Sequence, residues 1–234
     1  MIHSLSRILS KLGLMSRKQA ENEILKGIVR VNGKKVLNHR LRVNILNDKI
    51  TVNGKLVSFN KKIYYLLNKP EKVVTTRFDP EKRKTVYDII KIKDWIFPVG
   101  RLDYDTSGLL IMTNDSKLAD HITNPSSKIW KTYIAKIKGK LDKTMIKRLE
   151  AGINLREGKT LPAIFKVLSS TDKSSCLSIK IHEGRNRQIR RMLQSFQIKV
   201  LSLKRIAIGN IKDDSLRLGQ YRELTKKEIK MLEQ

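Results

Sequence analysis

Phe97-Pro98-Val99-Gly100-Arg101-Leu102-Asp103-Tyr104-Asp105-Thr106-Ser107-Gly108-Leu109-Leu110-Ile111-Met112-Thr113 sets two turns, Gly-Arg-Leu-Asp and Thr-Ser-Gly, against the start of a wholly apolar strand. A strand fixes geometry and a loop admits substrate, so a carboxylate at such a junction is a candidate for chemistry. Asp103 and Asp105 equally fit turn caps bonding the amides of Thr106 and Ser107. A glycosidase pair is a weaker reading, since two residues apart in a strand they share a face at one fixed distance. Around this strand the pattern is mixed. Ile63–Leu67 reads as an apolar strand closed by Asn68-Lys69-Pro70, Val73–Thr76 as another, and a charged loop follows from Arg77 to Lys84. From residue 63 onward strands and helices do not alternate regularly, so the expected class is α+β on a mostly antiparallel, mixed sheet.

Further along, Ile179-Lys180-Ile181-His182-Glu183-Gly184-Arg185-Asn186-Arg187-Gln188-Ile189-Arg190-Arg191-Met192-Leu193 reads as a strand ending at Gly184 and a helix with four arginines in its first two turns. Four cations and one Gln suit phosphate binding. A merely solvated helix face accounts for Arg191 and Arg187 but not for a cluster placed directly after a glycine.

Residues 1–60 form a separate pattern, two short helices and then strands. Leu5, Ile8, Leu9 and Leu12 share one helical face that Gly13 stops, and Ser16 caps a second helix with Ala20, Ile24 and Leu25 inward and Gly27 at its end. Ile28–Val31 alternates as a strand, Asn32-Gly33 favours a tight hairpin turn, and the pattern repeats at Ile50-Thr51-Val52 with Asn53-Gly54. Twelve basic residues against three acidic ones give this quarter a net charge of +9. The run Ser16–Glu21 with Gly27–Lys34 resembles the αL RNA-binding motif first described in a small-subunit ribosomal protein. That resemblance implies recognition of structured RNA through backbone and shape, with Arg17, Lys18, Arg30 and Lys34 as the contacts. The expected division is an αL-type RNA-binding domain at 1–60 and a catalytic domain at 61–234.

Charge bounds the partner. The 234 residues carry 50 Lys and Arg against 22 Asp and Glu, a net +28, with 40% hydrophobic residues, enough to bury a core. Folding does not call for that excess, whereas a polyanionic partner does. No apolar run approaches the roughly 18–20 residues of a membrane span, and the start has no signal-peptide pattern. A single cysteine, Cys176, excludes an internal disulfide and a Cys-based zinc site. The four histidines show no metal-ligand spacing, and no glycine-rich phosphate loop is present. A reduced, cytoplasmic, RNA-binding protein that works as a monomer, without metal or membrane, is the expectation.

Gly100–Asp103 with Thr106–Leu110, Lys131-Thr132-Tyr133, and Glu183–Met192 resemble the three motifs of the RsuA/RluB family of bacterial ribosomal RNA pseudouridine synthases. The similarity runs over nearly the whole chain, including Leu67-Asn68-Lys69-Pro70 and Leu218–Leu224. Glu71-Lys72 departs from the family's Lys-Gly or Arg-Gly, and Leu161 stands where a shorter residue is usual; both bear on loop shape. The resemblance implies a reaction that detaches uracil from ribose, turns it over and rejoins it through C5, with no cofactor. It puts the indispensable carboxylate on Asp103, acting on C1′ or on a sugar proton. Arg190 becomes the cation that keeps Asp103 ionised, Tyr133 the ring stacked on the base, and Arg101 the side chain filling the gap left by the flipped nucleotide. Arg185 and Arg187 fall to RNA binding, and Asp105 keeps its role as a turn cap. The similarity of Tyr104–Ser107 and Lys131–Tyr133 to RluB-type members leans the target toward large-subunit ribosomal RNA. The alternatives are a small-subunit target, a non-catalytic RNA-binding assembly factor and, less favoured, DNA binding.

Overall fold

The computed structural model describes residues 2–12, 14–44, 47–57, 62–92 and 94–234. Gly13, assigned above as a helix stop, lies outside the described residues, as do residues 58–61, where a boundary between 60 and 61 falls. The chain forms two compact units. One comprises Met1–Ile63, Ile92–Phe97 and Thr113–Ser116; the other comprises Tyr64–Lys91, Pro98–Met112 and Lys117–Gln234.

The first unit runs β1 (Ile2–Ser4), α1 (Leu5–Lys11), α2 (Arg17–Leu25), β2 (Val29–Val31), β3 (Lys34–Lys35), β4 (Arg42–Asn44), β5 (Ile50–Val52) and β6 (Lys55–Leu56). β1 pairs antiparallel with β4, and a small sheet runs in the order β3-β2-β5-β6. Leu5, Ile8, Leu9 and Leu12 of the first helical face pack with Ala20, Ile24, Val29, Val31, Val43 and Ile50 into one core. α2 starts at a capping box: the Ser16 hydroxyl accepts from the Gln19 amide, and the Gln19 side chain accepts from the Ser16 amide. Leu25 is not inward as expected but 61% exposed, because one further residue rotates it about 100° from Ile24. Both Asn-Gly turns hold two successive left-handed residues, with φ of 51° and 80° at Asn32-Gly33 and 50° and 75° at Asn53-Gly54. That is the twist a two-residue hairpin needs. β1, three residues long, is too short to leave a period.

The second unit contains β7 (Tyr64–Lys69), α3 (Val86–Ile89) and all but one end residue each of β8 (Phe97–Pro98), β9 (Ser107–Thr113) and α4 (Ser116–Thr123), those ends being Phe97, Thr113 and Ser116. It continues through β10 (Lys131–Lys138), α5 (Lys143–Ala151), β11 (Asn154–Leu155), β12 (Gly158–Lys159), β13 (Ile164–Ser170) and β14 (Ser174–Ile181). It ends with α6 (Gln188–Gln194), β15 (Val200–Ile208), β16 (Ile211–Lys212), β17 (Tyr221–Glu223) and α7 (Lys226–Glu233). The main sheet runs β13-β14-β10-β15-β9-β7-β17. β10 is antiparallel to both β14 and β15, β17 is antiparallel to β7, and β15 runs parallel to β9. The class is α+β with a mixed, mostly antiparallel sheet.

Every residue of β9 is buried, as its unbroken apolar run requires. At Gly108, φ +111°, a Cβ would stand 2.1 Å from the Arg205 carbonyl oxygen, so only glycine lets β9 and β15 approach. Two expectations fail here. Val73–Thr76 forms no strand, only a bridge between Val74 and Thr85: the Val74 amide donates to the Lys84 carbonyl, its carbonyl accepts from the Val86 amide, and the Thr75 hydroxyl turns to Leu102. The four arginines do not open a helix: β14 stops at Ile181 and α6 begins at Gln188, leaving Arg185 and Arg187 in the loop between. Arg187 adopts φ +48°, which α-helix cannot accommodate. Among the described residues no helix is long and apolar enough to cross a membrane.

Candidate active site

Asp103 sits in the loop that leads into β9, and its backbone is fixed from the side. The Thr75 hydroxyl donates to the Leu102 carbonyl at 2.8 Å and accepts from the Leu102 amide at 3.3 Å. The Lys72 amide donates to the Tyr104 carbonyl at 2.7 Å, and the Thr106 amide closes the turn onto the Asp103 carbonyl. β10 contributes Lys131 and Tyr133, which share a face by the two-residue period of a strand. Arg205 of β15 lies directly opposite Tyr133. These elements enclose a cavity of about 240 Å³ lined by Arg101, Asp103, Lys131, Tyr133 and Arg205 among others. It is smaller than the roughly 300–1,000 Å³ of clefts that take drug-sized ligands. Tyr133 is 8% exposed, and its hydroxyl makes no hydrogen bond to the described residues.

The far wall is the loop from His182 to Arg187. Glu183, buried, accepts from the Leu161 amide and the Gln188 amide group through one oxygen and from Arg185 through the other. Gln188 in turn accepts from the Arg185 amide at 3.1 Å. The Arg185 guanidinium also donates to the carbonyls of Gly158 and Lys159. Arg185, expected to bind RNA, is therefore committed to the shape of its own loop. Three of its five guanidinium N–H groups are bonded within the protein.

The arginine–aspartate pairing differs from expectation. Arg187 grips Asp105 with two bonds, at 2.9 and 3.0 Å. Arg190 meets the same carboxylate at 3.3 Å and donates to the Asp105 backbone carbonyl at 2.7 Å. Asp105 is thus an ion-pair hub and not a turn cap. Arg190 pairs with Asp105 and not with Asp103, and Arg187 is occupied by a carboxylate instead of standing ready for phosphate. Arg191 pairs with Glu157 at 2.7 Å. A planar bidentate pair is worth more than a bond to a turn amide, so the carboxylate of Asp105 follows the guanidinium.

The same charges act on Asp103 at a distance. Burial pushes the Asp103 carboxyl up from its ordinary value, Asp105 adds to that, and Arg187, then Arg190 and Arg101, oppose it. Burial also disfavours the Asp105 charge, but Arg187 and Arg190 outweigh it and hold that carboxyl below its usual range. The two acids are pushed apart, one toward protonation and one firmly ionised. Two buried lysines flank the region. Lys69, fully buried at the end of β7, donates to the carbonyls of Pro70 and Val73 and is pulled to about 8 by burial. Lys131 is pulled to about 8 by burial and by Arg205.

Among the residues named from the sequence, Arg101, Asp103, Tyr133 and Arg185 come together around one cavity, Arg187 meets all four in an adjoining pocket, and Arg187 and Arg190 line a groove with Asp105. Thr75, Lys69 and Arg205 were not foreseen. Their spacing to Asp103 is long, so no local signal marks them. In the first unit Arg17 lies 3.4 Å from Glu21, and Arg30 bends to the Gly33 carbonyl at 3.3 Å. Lys18 and Lys34 are exposed and make no ion pair with the described residues.

A half-buried carboxylate beside a buried tyrosine, in a cavity sized for one small ring, defines a site for chemistry on a single ring-bearing group. The chain belongs to the RNA pseudouridylate synthase family, whose pattern it matches over residues 63–195, and its residues 5–48 match the S4 domain. It is 44% identical over 231 residues to ribosomal large subunit pseudouridine synthase B of Bacillus subtilis (strain 168), covering 97% of this chain and 94% of that protein. The protein of the same description from Buchnera aphidicola subsp. Acyrthosiphon pisum (strain APS) is 36% identical over 99% of this chain and 96% of its own. A crystal structure of a pseudouridylate synthase superposes with a TM-score of 0.70 at 29% identity, covering 98% of this chain and 99% of that one.

Proposed function

We propose that this enzyme converts one uridine of large-subunit ribosomal RNA to pseudouridine, through Asp103. Residues 1–60 act as the RNA-gripping domain, with Arg17, Lys18, Arg30 and Lys34 on phosphates, and residues 61–234 carry the chemistry. The observation that carries the reading is the cavity shared by Asp103, Arg101 and Tyr133 in a chain of net charge +28. The target nucleotide leaves its stack, at a cost of a few kcal/mol, and Arg101 fills the space behind it. Tyr133 covers the face of the uracil and assists removal of the C5 proton. Asp103 presents an ionised carboxylate to the ribose, kept charged against burial by Arg187, Arg190 and Arg101. Arg190 acts on Asp103 through the field, its direct partner being Asp105. The isomerisation is redox-neutral, so the chemistry calls for no cofactor. The reading places the enzyme in the cytoplasm as a monomer.

The test is to map pseudouridine in ribosomal RNA from cells lacking the gene, complemented with wild type or with Asp103→Asn. One large-subunit position should be unmodified in the deletion, restored by wild type and not by the variant. Loss confined to small-subunit RNA, or no lost position, overturns the assigned target.

A further inference from the structure

Arg205 is 5% exposed, yet one of its five N–H groups is bonded: Nε donates to the Leu109 carbonyl at 2.6 Å. Its Nη2 is buried without a partner. Lys131, 7% exposed, makes one bond, from Nζ to the Ile122 carbonyl at 2.7 Å. Neither forms an ion pair with the described residues, although both line the cavity of Asp103 and Tyr133. A buried cation without a counter-charge is costly and persists where a ligand offsets the cost. Lys69 is different, being held by two carbonyls and influenced by Asp103, Glu71 and Asp105. The sheet register puts Arg205 opposite Tyr133, and Lys131 lies two residues from Tyr133 on the same face. Both cations line the cavity that Tyr133 lines.

The geometry points to Lys131 and Arg205 as the pair that receives the negative charge of the detached base on its carbonyl oxygens. This rests on the cavity being the place where the base is detached. When the bond from C1′ to N1 breaks, its electron pair leaves on N1 and spreads onto O2 and O4. The carboxylate of Asp103 balances the sugar, by bonding C1′ or by taking a sugar proton. Rejoining returns the pair: C5 bonds C1′, Asp103 is released, the C5 proton is lost and N1 gains one. The charge exists only between the two bonds, so fixed cations placed for it lower the barrier without tightening ground-state binding.

The experiment compares single-turnover rates and RNA affinity for wild type, Arg205→Gln, Arg205→Lys and Lys131→Met on ribosomal RNA that wild type modifies. Arg205→Gln should lose roughly 10²–10³-fold in rate, the scale for one preorganised donor, with affinity close to wild type. Arg205→Lys should recover part of it by keeping the charge. The charged groups facing Lys131 in the cavity are Arg205 from β15, Asp103 and Arg101 from the loop before β9, and Glu183 and Arg185 from the opposite loop. The wild-type rate should fall as pH rises through about 8, where Lys131 loses its proton. In Arg205→Gln that limb should move up, since Arg205 helps hold Lys131 down; a limb that stays in place is not that of Lys131 and overturns its part in the pair. A folded Arg205→Gln with the wild-type rate, or a rate loss matched by an equal loss of affinity, overturns the inference. Should Arg205→Gln fail to fold, Lys131→Met decides: an unchanged rate and alkaline limb overturn it. A wild type that modifies no uridine defeats the assigned function instead, and is read before any variant.

Discussion

In the proposed reaction Asp103 has to stay ionised where burial and a neighbouring carboxylate both favour its proton, and Arg187 is the foremost of the cations that resist them. Arg187→Gln should therefore raise the Asp103 pKa. Under the proposed function the group works as the anion, so the acid limb of the single-turnover pH profile moves to higher pH, and rates at mildly acid pH fall most. Asp105→Asn should move the same limb down, since the Asp105 charge raises Asp103. Profiles in which the two substitutions shift the limb in the same direction would break this account. Asp103→Asn keeps shape and removes charge. It should abolish turnover at every pH while RNA affinity stays near wild type; a tenth of the wild-type rate retained would remove Asp103 from its role.

At the scale of elements, the close parallel contact of β9 with β15 rests on Gly108. Gly108→Ala drives a Cβ into backbone that cannot retreat like a flexible side chain. It should cost about 1–3 kcal/mol or more, the range of overpacking, read as a lowered urea midpoint; an unchanged midpoint would contradict the strand spacing. Arg222 ties β17 to its surroundings by clamping Asp213 and Glu228. Asp213, held first by Ser215 and then by Arg222, lies at about 2, and Glu228, held by Arg222, also lies at about 2. Both are depressed, so their stabilisation is full above the ordinary carboxylate range and is lost as pH falls from about 4 through about 2. Urea midpoints at pH 6 and pH 3 should differ more in wild type than in Arg222→Met. What could be read from the sequence follows the same scale. α2 is legible because Ser16, Gln19 and Gly27 mark it within a dozen residues, and the Asn-Gly turns because their dihedrals are local. The bond from Arg187 to Asp105 joins residues 82 apart. Nothing in either neighbourhood announces it, so each side chain looks free for another task. Thr75 escapes for the same reason: its partner Leu102 is 27 residues away.

Across the whole molecule, the excess of +28 is not evenly available. Arg185, Arg187, Arg190 and Arg191 are engaged by carboxylates and carbonyls, whereas Lys18 and Lys34 stand exposed. Lys18→Gln and Lys34→Gln should each weaken RNA binding and flatten the log–log salt dependence by about 0.7–0.9 unit, the release of one phosphate's counterion. Arg187→Gln should leave that slope near wild type. Equal slopes for all three would mean that the paired arginine also reaches phosphate.

The first compact unit is not one stretch of chain, since it takes in Ile92–Phe97 and Thr113–Ser116. A cut after residue 60 therefore strips those two segments of most of the unit they pack with. The order in which the protein is made matters as well. A chain emerging N-terminus first holds every part of this unit once Ser116 has been added. The second unit must wait for α7, ending at Glu233. At about 5–20 residues per second, the unit proposed to grip RNA is complete many seconds before the unit proposed to alter it. Under that proposal a newly made molecule passes through an interval in which it is a binder without chemistry.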